Sequence, residues 1–358
     1  MFNNIYKNKK VLITGHTGFK GSWLTLWLNY MGAKVMGISS DAVSNPSNFE
    51  ILKLKNKIFD KKIDLRNYHQ INKQILKFKP DYIFHLAAEA IVKRSYQDPK
   101  YTWETNTLGT INILETLRNY KKKITVVIIT SDKVYQNIEI ERGYKENDKL
   151  GSLDPYSASK ASADLATQSY ISSYFKKKKN IRIAIARAGN VIGGGDWAEG
   201  RLIPDCVRRW SKNKTVTLRS PRSTRPWQHV LDVLRGYLIL AINLKNNKSI
   251  NGEIFNFGPK KKENRDVVNI VKEMKTNWGK VSWIIKKNKS FFESNLLQLD
   301  STKANKKLGW KCLLNLKDSV YYTTKWYKTY YNKSENIFNF SINQIKEYEK
   351  ISKYKIKK

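Results

Sequence analysis

From residue 10 onward the chain alternates short apolar runs with longer amphipathic stretches. VLIT, KVMGIS, YIFHL and ITVVIIT have almost no polar face, the pattern of strands buried on both sides. The spacing predicts strands at 10–14, 34–39, 58–59, 82–86, 124–130 and 181–186. Between them, a period near 3.6 predicts helices over 19–31, 68–78, 99–117 and 155–175. Asp98-Pro99 and Asp154-Pro155 each place a capping acid before a proline suited to the first helical position. Short apolar strands separated by amphipathic helices predict an α/β fold with a doubly wound parallel sheet. Beyond Ala188 the alternation breaks into a glycine-rich loop, GNVIGGGDW, and a Pro/Arg loop, SPRSTRPWQHV, which predicts a smaller, partly interleaved lobe.

Composition narrows the class. The 358 residues are 41% hydrophobic and include ten tryptophans, enough for a substantial core. No apolar stretch approaches the ~20 residues that cross a bilayer. The first residues, MFNNIYKNKKVLITG, read as a first strand and not as a signal peptide. Cys206 and Cys312 are the only cysteines, so no disulfide framework is expected. These features together predict a cytoplasmic protein with no membrane partner. The formal charge of +37 is unusual, but the lysines are scattered and accompany no nucleic-acid motif. The reading is a Lys-rich surface and no specific nucleic acid.

The chemistry begins at VLITGHTGFKGSW. Gly15, Gly18 and Gly21 follow the first strand and open the first helix, with Thr17 and Phe19 between them. Such a loop lets a pyrophosphate approach the backbone at a helix N-terminus. It predicts dinucleotide binding on a Rossmann-type sheet. The ribose acid is not clean: Ser39, Ser40 and Asp41 are candidates, and no nearby arginine awaits a 2′-phosphate, so NAD is favoured over NADP. Asp64 in KIDLR is a candidate adenine contact or, equally, a helix-capping or surface acid. The expected layout is a cofactor domain over 1–187, with a segment returning near 226–250. A substrate lobe follows over 188–225 and 251–335, then a basic tail over 336–358, helical or frayed.

DPYSASK sets Tyr156 and Lys160 four residues apart near a helix start, stacking both on one face. An ammonium beside a phenol favours the phenolate, which can take an alcohol proton while nicotinamide takes the hydride. The four histidines are dispersed and predict no metal site.

The glycine loop, HLAA at 85–88, Asn106 in a long helix and Tyr156-x-x-x-Lys160 together resemble the extended short-chain dehydrogenase/reductase family of nucleotide-sugar enzymes. TSDKVYQN, RAGNVIGGGDW, RLIPD and RPWQHV resemble its branch acting on CDP-glucose, and the likeness runs from about residue 9 to 349. Glu89 departs from that pattern, where glutamine is usual, as do Ser152 and Gly200. The resemblance implies a redox-neutral 4,6-dehydration with catalytic NAD. It assigns Leu65, Leu86, Ala87 and Ala88 to the cofactor. It assigns Asp132 as the acid that protonates the leaving C6 hydroxyl, Lys133 as base at C5 or as a positioning group, and Ser131 as partner of the sugar O4. For the diphosphate sugar it implies Asn106, Arg187, Asn190, Arg201, Arg219 and Arg225. His229 is equally a structural histidine or a ligand contact. The family also implies a homodimer or homotetramer.

Two other readings stand beside this one. A 4-epimerase, or a dehydratase for another nucleotide, would share the loop and the tyrosine, although an epimerase has no use for an acid–base pair that expels water. A catalytically idle fold that binds nucleic acid through its charge would show salt-sensitive binding without turnover.

Overall fold

A computed structural model describes residues 2, 4–42, 44–218, 220–286 and 296–356. Seven strands form one parallel sheet: β1 (Lys10–Thr14), β2 (Lys34–Ser39), β3 (Phe59–Lys62), β4 (Tyr82–His85), β5 (Ile124–Ile129), β6 (Ile181–Ala188) and β7 (Ile254–Phe257). Their spatial order is β7-β6-β5-β4-β1-β2-β3. The winding therefore reverses between β1 and β4, where Thr14 pairs with His85. Ligands of such sheets bind outside the carboxyl ends at this crevice.

Apolar residues line both faces of the strands, as their unbroken runs require. Val11, Ile13, Val127 and Ile129 enter one core, while Leu12, Val126 and Ile128 enter the other. Helices α1 (Phe19–Tyr30) and α5 (Val230–Asn246) cover the first face; α2 (Tyr68–Phe78) and α3 (Gly109–Arg118) cover the second. α4 (Pro155–Tyr170) completes the cofactor half. Asp98 and Asp154 cap as expected, accepting from Tyr101 N at 2.9 Å and Ser157 N at 3.0 Å. The expected helix over 99–117 is interrupted by a π turn at Glu104–Leu108, and the one over 155–175 ends in another at Ile171–Phe175. Hydrophobic periodicity does not register a single wide turn, and such turns often mark functional sites.

The returning segment runs further than expected. Residues 254–257, assigned from the sequence to the substrate lobe, supply β7, which pairs with β6 from Ile254↔Ile185 to Phe257↔Ala188. The lobe itself holds short ladders, among them Thr224–Pro226 against Asn264–Asp266 and Val191–Ile192 beside Gln228–His229. The basic tail, expected as helical or frayed, forms a packed helix. α6 (Leu316–Asn332) is followed by α7 (Ile337–Ile356), which buries Phe340, Ile345 and Tyr348. Trp27 of α1 donates to Glu349 at 2.9 Å, and Tyr348 donates to Asp232 of α5 at 2.6 Å. Among the described residues no helix is long and apolar enough to cross a membrane.

Candidate active site

The phosphate loop leaves β1 at Gly15, whose φ of +74° only glycine adopts readily. A Cβ on Gly21 would lie 2.0 Å from the Gly15 carbonyl oxygen, so the turn and the helix start close on each other without side chains. Gly18 caps α1 through extended backbone, leaving the first-turn N–H groups aimed outward. Ala87 closes over the loop, its N–H donating to Thr14 Oγ1 at 3.2 Å. This is a cradle of backbone donors at a helix N-terminus, and it fits a pyrophosphate. Leu86 and Ala88, on either side of Ala87, are half-buried beyond β4, and Leu86 packs against the core.

At the end of β2 the ribose position is polar without a free acid. Thr17 and Ser39 hydroxyls meet at 2.7 Å, while exposed Asp41 pairs with Lys62 at 2.5 Å. Asp64 keeps a partly exposed carboxylate. It is tied to Arg66 by contacts of 2.8–3.1 Å, and this partner holds its pKa below the usual carboxylate range. Leu65 is buried under α3, its carbonyl accepting from Asn112 at 2.8 Å.

β5 ends at Ile129, and the chain turns sharply through Asp132–Val134. Ser131 caps this turn, accepting from Lys133 N at 3.2 Å, and donates to Asp132 Oδ1 at 3.0 Å. Asp132 is buried, and burial pushes its carboxyl above the ordinary value. Lys133, Ser131, Arg225 and Lys20 pull the other way. α4 brings Tyr156 to the same place, with Lys133 Nζ 5.9 Å from its ring centre. The structure thus assembles Ser131, Asp132, Lys133, Tyr156 and Lys160 at the carboxyl end of β5.

One electrostatic expectation is reversed. Burial pushes Tyr156 up to about 12, with the Ser131 hydroxyl acting against it. Lys160 is buried, drawn down to about 7, and donates to the Ile129 carbonyl at 3.0 Å. In this state its ammonium anchors the helix to the strand.

Arg187 and Asn106, assigned to the substrate, are held in the scaffold, and His229 has the geometry of its structural reading. Arg187 is fully buried, gripping Asp164 through two hydrogen bonds of 2.8 Å, so its fork is taken. Asn106 in the π turn ties Glu89 N at 2.8 Å, Glu89 O at 3.1 Å and Ser159 Oγ at 2.9 Å. His229 is buried and caps α5, its Nδ1 accepting from Leu231 N at 3.3 Å. Three candidates remain beside the reacting groups. Arg201, held charged by Asp196 at 2.8 Å, is partly exposed, and Arg225 lies within electrostatic reach of Asp132. Asn190 is half-buried on the loop after β6. Arg219 lies outside the described residues. Among the described residues no three His, Cys, Asp or Glu side chains converge as metal ligands.

Sequence reasoning passed over Lys20. It is half-buried in the first turn of α1, within reach of Asp132, Lys160 and Arg201, and is drawn down to about 8 by burial. Its signal was a lysine inside the glycine motif. His16 was also missed: it is buried, bonded to Asp60 at 2.8 Å, and packed where a Cβ on Gly37 would collide with its ring.

Two buried histidines predict acid sensitivity. Burial draws His85 and His229 down to about 3. Above the ordinary value near 6.5 their stabilisation is complete. As pH falls from there toward 3, the unfolded chain takes up protons that the folded chain refuses, at a cost of about 1.4 kcal/mol per pH unit for each. His229→Asn keeps an acceptor for Leu231 N. In urea denaturation it is expected to lose about 1.4 kcal/mol less per unit than the wild type below pH ~6.5. An identical slope would exclude His229 as the source.

The chain matches the family model described as GDP-mannose 4,6 dehydratase over residues 12–323. It is 41% identical over 350 residues to a CDP-glucose 4,6-dehydratase of Salmonella typhimurium, covering 96% of this chain and 97% of that one. The solved dTDP-glucose 4,6-dehydratase from Bacillus anthracis in complex with NAD superposes with a TM-score of 0.74 at 22% identity, covering 90% of this chain and 97% of that one. A UDP-glucuronic acid 4-epimerase from Bacillus cereus in complex with UDP-glucuronic acid and NAD gives 0.76 at 24%, covering 90% and 99%.

Proposed function

The chain belongs to the GDP-mannose 4,6 dehydratase family, and from that membership we infer that it converts CDP-glucose to CDP-4-dehydro-6-deoxyglucose with catalytic NAD. The observation that carries this over epimerisation is the buried Asp132 carboxyl, hydrogen-bonded to Ser131 and set beside Tyr156. A carboxyl that retains its proton through burial can donate it to a leaving hydroxyl. Inverting one carbinol centre needs no such group.

The glycine cradle would hold NAD by its diphosphate, with Thr17 and Ser39 at the adenosine ribose. When bound, NAD supplies oxidation at C4 of the sugar and reduction at C6. Tyr156 takes the O4 proton, with Ser131 sharing the hydrogen bond. Asp132 delivers a proton to the C6 hydroxyl as water leaves. Lys133, over the tyrosine ring, takes the C5 proton as base, its alternative role being to position Asp132. Arg201 and Arg225 grip the diphosphate through paired donors, and Asn190 contacts it beside them. The same reading includes a cytoplasmic location and a homodimer or homotetramer, paired through 99–117 and 155–175, where Trp103, Leu108 and Leu165 are exposed.

The test uses protein purified without added NAD and CDP-glucose deuterated at C4. NMR is expected to show deuterium at C6 of a 4-keto-6-deoxy sugar. Inversion at C4, or turnover only of dTDP- or GDP-sugars, would overturn the assignment.

A further inference from the structure

Tyr156, Lys160 and Asp164 follow one another at four-residue steps along α4, so they share one face. The first two belong to the proposed chemistry. The third is buried against the strand ends. Asp164 Oδ2 accepts from Thr130 Oγ1 at 3.0 Å and from Arg187 Nε at 2.8 Å. Its Oδ1 accepts from Arg187 Nη2 and Gln168 Nε2, each at 2.8 Å. Arg187 Nη1 then donates to Tyr135 OH at 2.8 Å and to the Glu146 carbonyl at 2.9 Å. Tyr135 OH donates onward to Asn256 Oδ1 at 2.8 Å. Thr130 precedes the Ser131–Lys133 turn and Tyr135 follows it, so one carboxylate holds both ends.

The pair is almost wholly buried, with side-chain exposures of 1% for Arg187 and 0% for Asp164. Stability alone does not call for it, since well-packed apolar residues of similar volume often serve as well or better. Directed hydrogen bonds do what apolar packing cannot: they fix where the turn's hydroxyl and carboxyl point. We infer that Asp164 is a positioning residue for the reaction, clamping the Ser131–Asp132–Lys133 turn to the helix that carries Tyr156 and setting a fixed negative charge beside Lys160. This rests on the dehydratase reading above.

The charged and titratable groups facing Lys160 are Lys20 from α1, His85 from β4, and Tyr156 and Asp164 from α4. His85 is neutral at working pH. Lys20 disfavours the Lys160 ammonium and Asp164 favours it. Removing Asp164 therefore lets Lys160 lose its proton at lower pH.

Three variants test the clamp: Asp164→Asn, Asp164→Glu, and the double variant Asp164→Leu with Arg187→Met. The double variant removes both charges and guards against a single variant that fails to fold. In the Asn and double variants, kcat for CDP-glucose is expected to fall about 10²-fold with KM nearly unchanged. The alkaline limb of the kcat profile should move down by about one pH unit. Asp164→Glu should restore part of the rate. Amide hydrogen exchange across 129–136, which needs no substrate, should accelerate in the Asn and double variants. A double variant with wild-type kcat and alkaline limb overturns the inference, and so does unchanged exchange across the turn. Wild-type protein that does not turn over CDP-glucose would instead overturn the dehydratase reading, leaving the exchange measurement to decide the clamp.

Discussion

Tyr156→Phe is expected to lower kcat for dehydration by roughly 10²–10⁴-fold while the folded protein still binds NAD. Phenylalanine keeps the ring, so its packing at the start of α4 survives. Pro155 at the first helical position and the Asp154 cap, accepting from Ser157 N at 3.0 Å, do not involve the phenol. What disappears is the group proposed to take the O4 proton. Burial pushes that phenol up to about 12 in the free protein, so it must give up its proton more readily once substrate and cofactor surround it. Steady-state rates and the quenching of protein fluorescence by NAD check the two halves separately. A variant that turns over like the wild type would remove Tyr156 from the chemistry.

Asp132→Asn should divide the reaction in two. The asparagine fills the same buried space and can still accept from Ser131, but it has no carboxyl proton to give. Oxidation at C4 is expected to continue, while water loss slows by roughly 10²–10⁴-fold. Reduced cofactor and a 4-keto sugar that retains its C6 hydroxyl should then accumulate on the enzyme. Absorbance of the reduced nicotinamide after rapid mixing reads this directly. Slowing of both stages together, with no accumulation, would mean that Asp132 shapes the site without serving as the acid.

Where local pattern decides the outcome, the sequence could be read closely. Lys10–Thr14, Lys34–Ser39 and Tyr68–Phe78 form at the residues their periodicity marks. Tyr156 and Lys160 could be chosen because helical spacing fixes their common face. The misreadings share a different cause. Arg187 and Arg225 look alike in the sequence as phosphate grips. Arg187 is nonetheless held in the scaffold, because Asp164, twenty-three positions before it, is folded against it. Asn106 is likewise claimed by Glu89, a contact that no spacing rule announces. Residue type announces what a group can do, and tertiary partners decide whether it remains available.

The packing of α7 against α1 has a consequence for biosynthesis. The helix that opens the nucleotide cradle leans on residues synthesised more than three hundred positions later, with Trp27 bonded to Glu349. Domains usually fold from the N-terminus as the chain emerges. Here the first layer of the sheet cannot be sealed on its outer side until the ribosome has delivered the last helix. A truncated nascent chain would leave Trp27 and its neighbours on α1 open to chaperones.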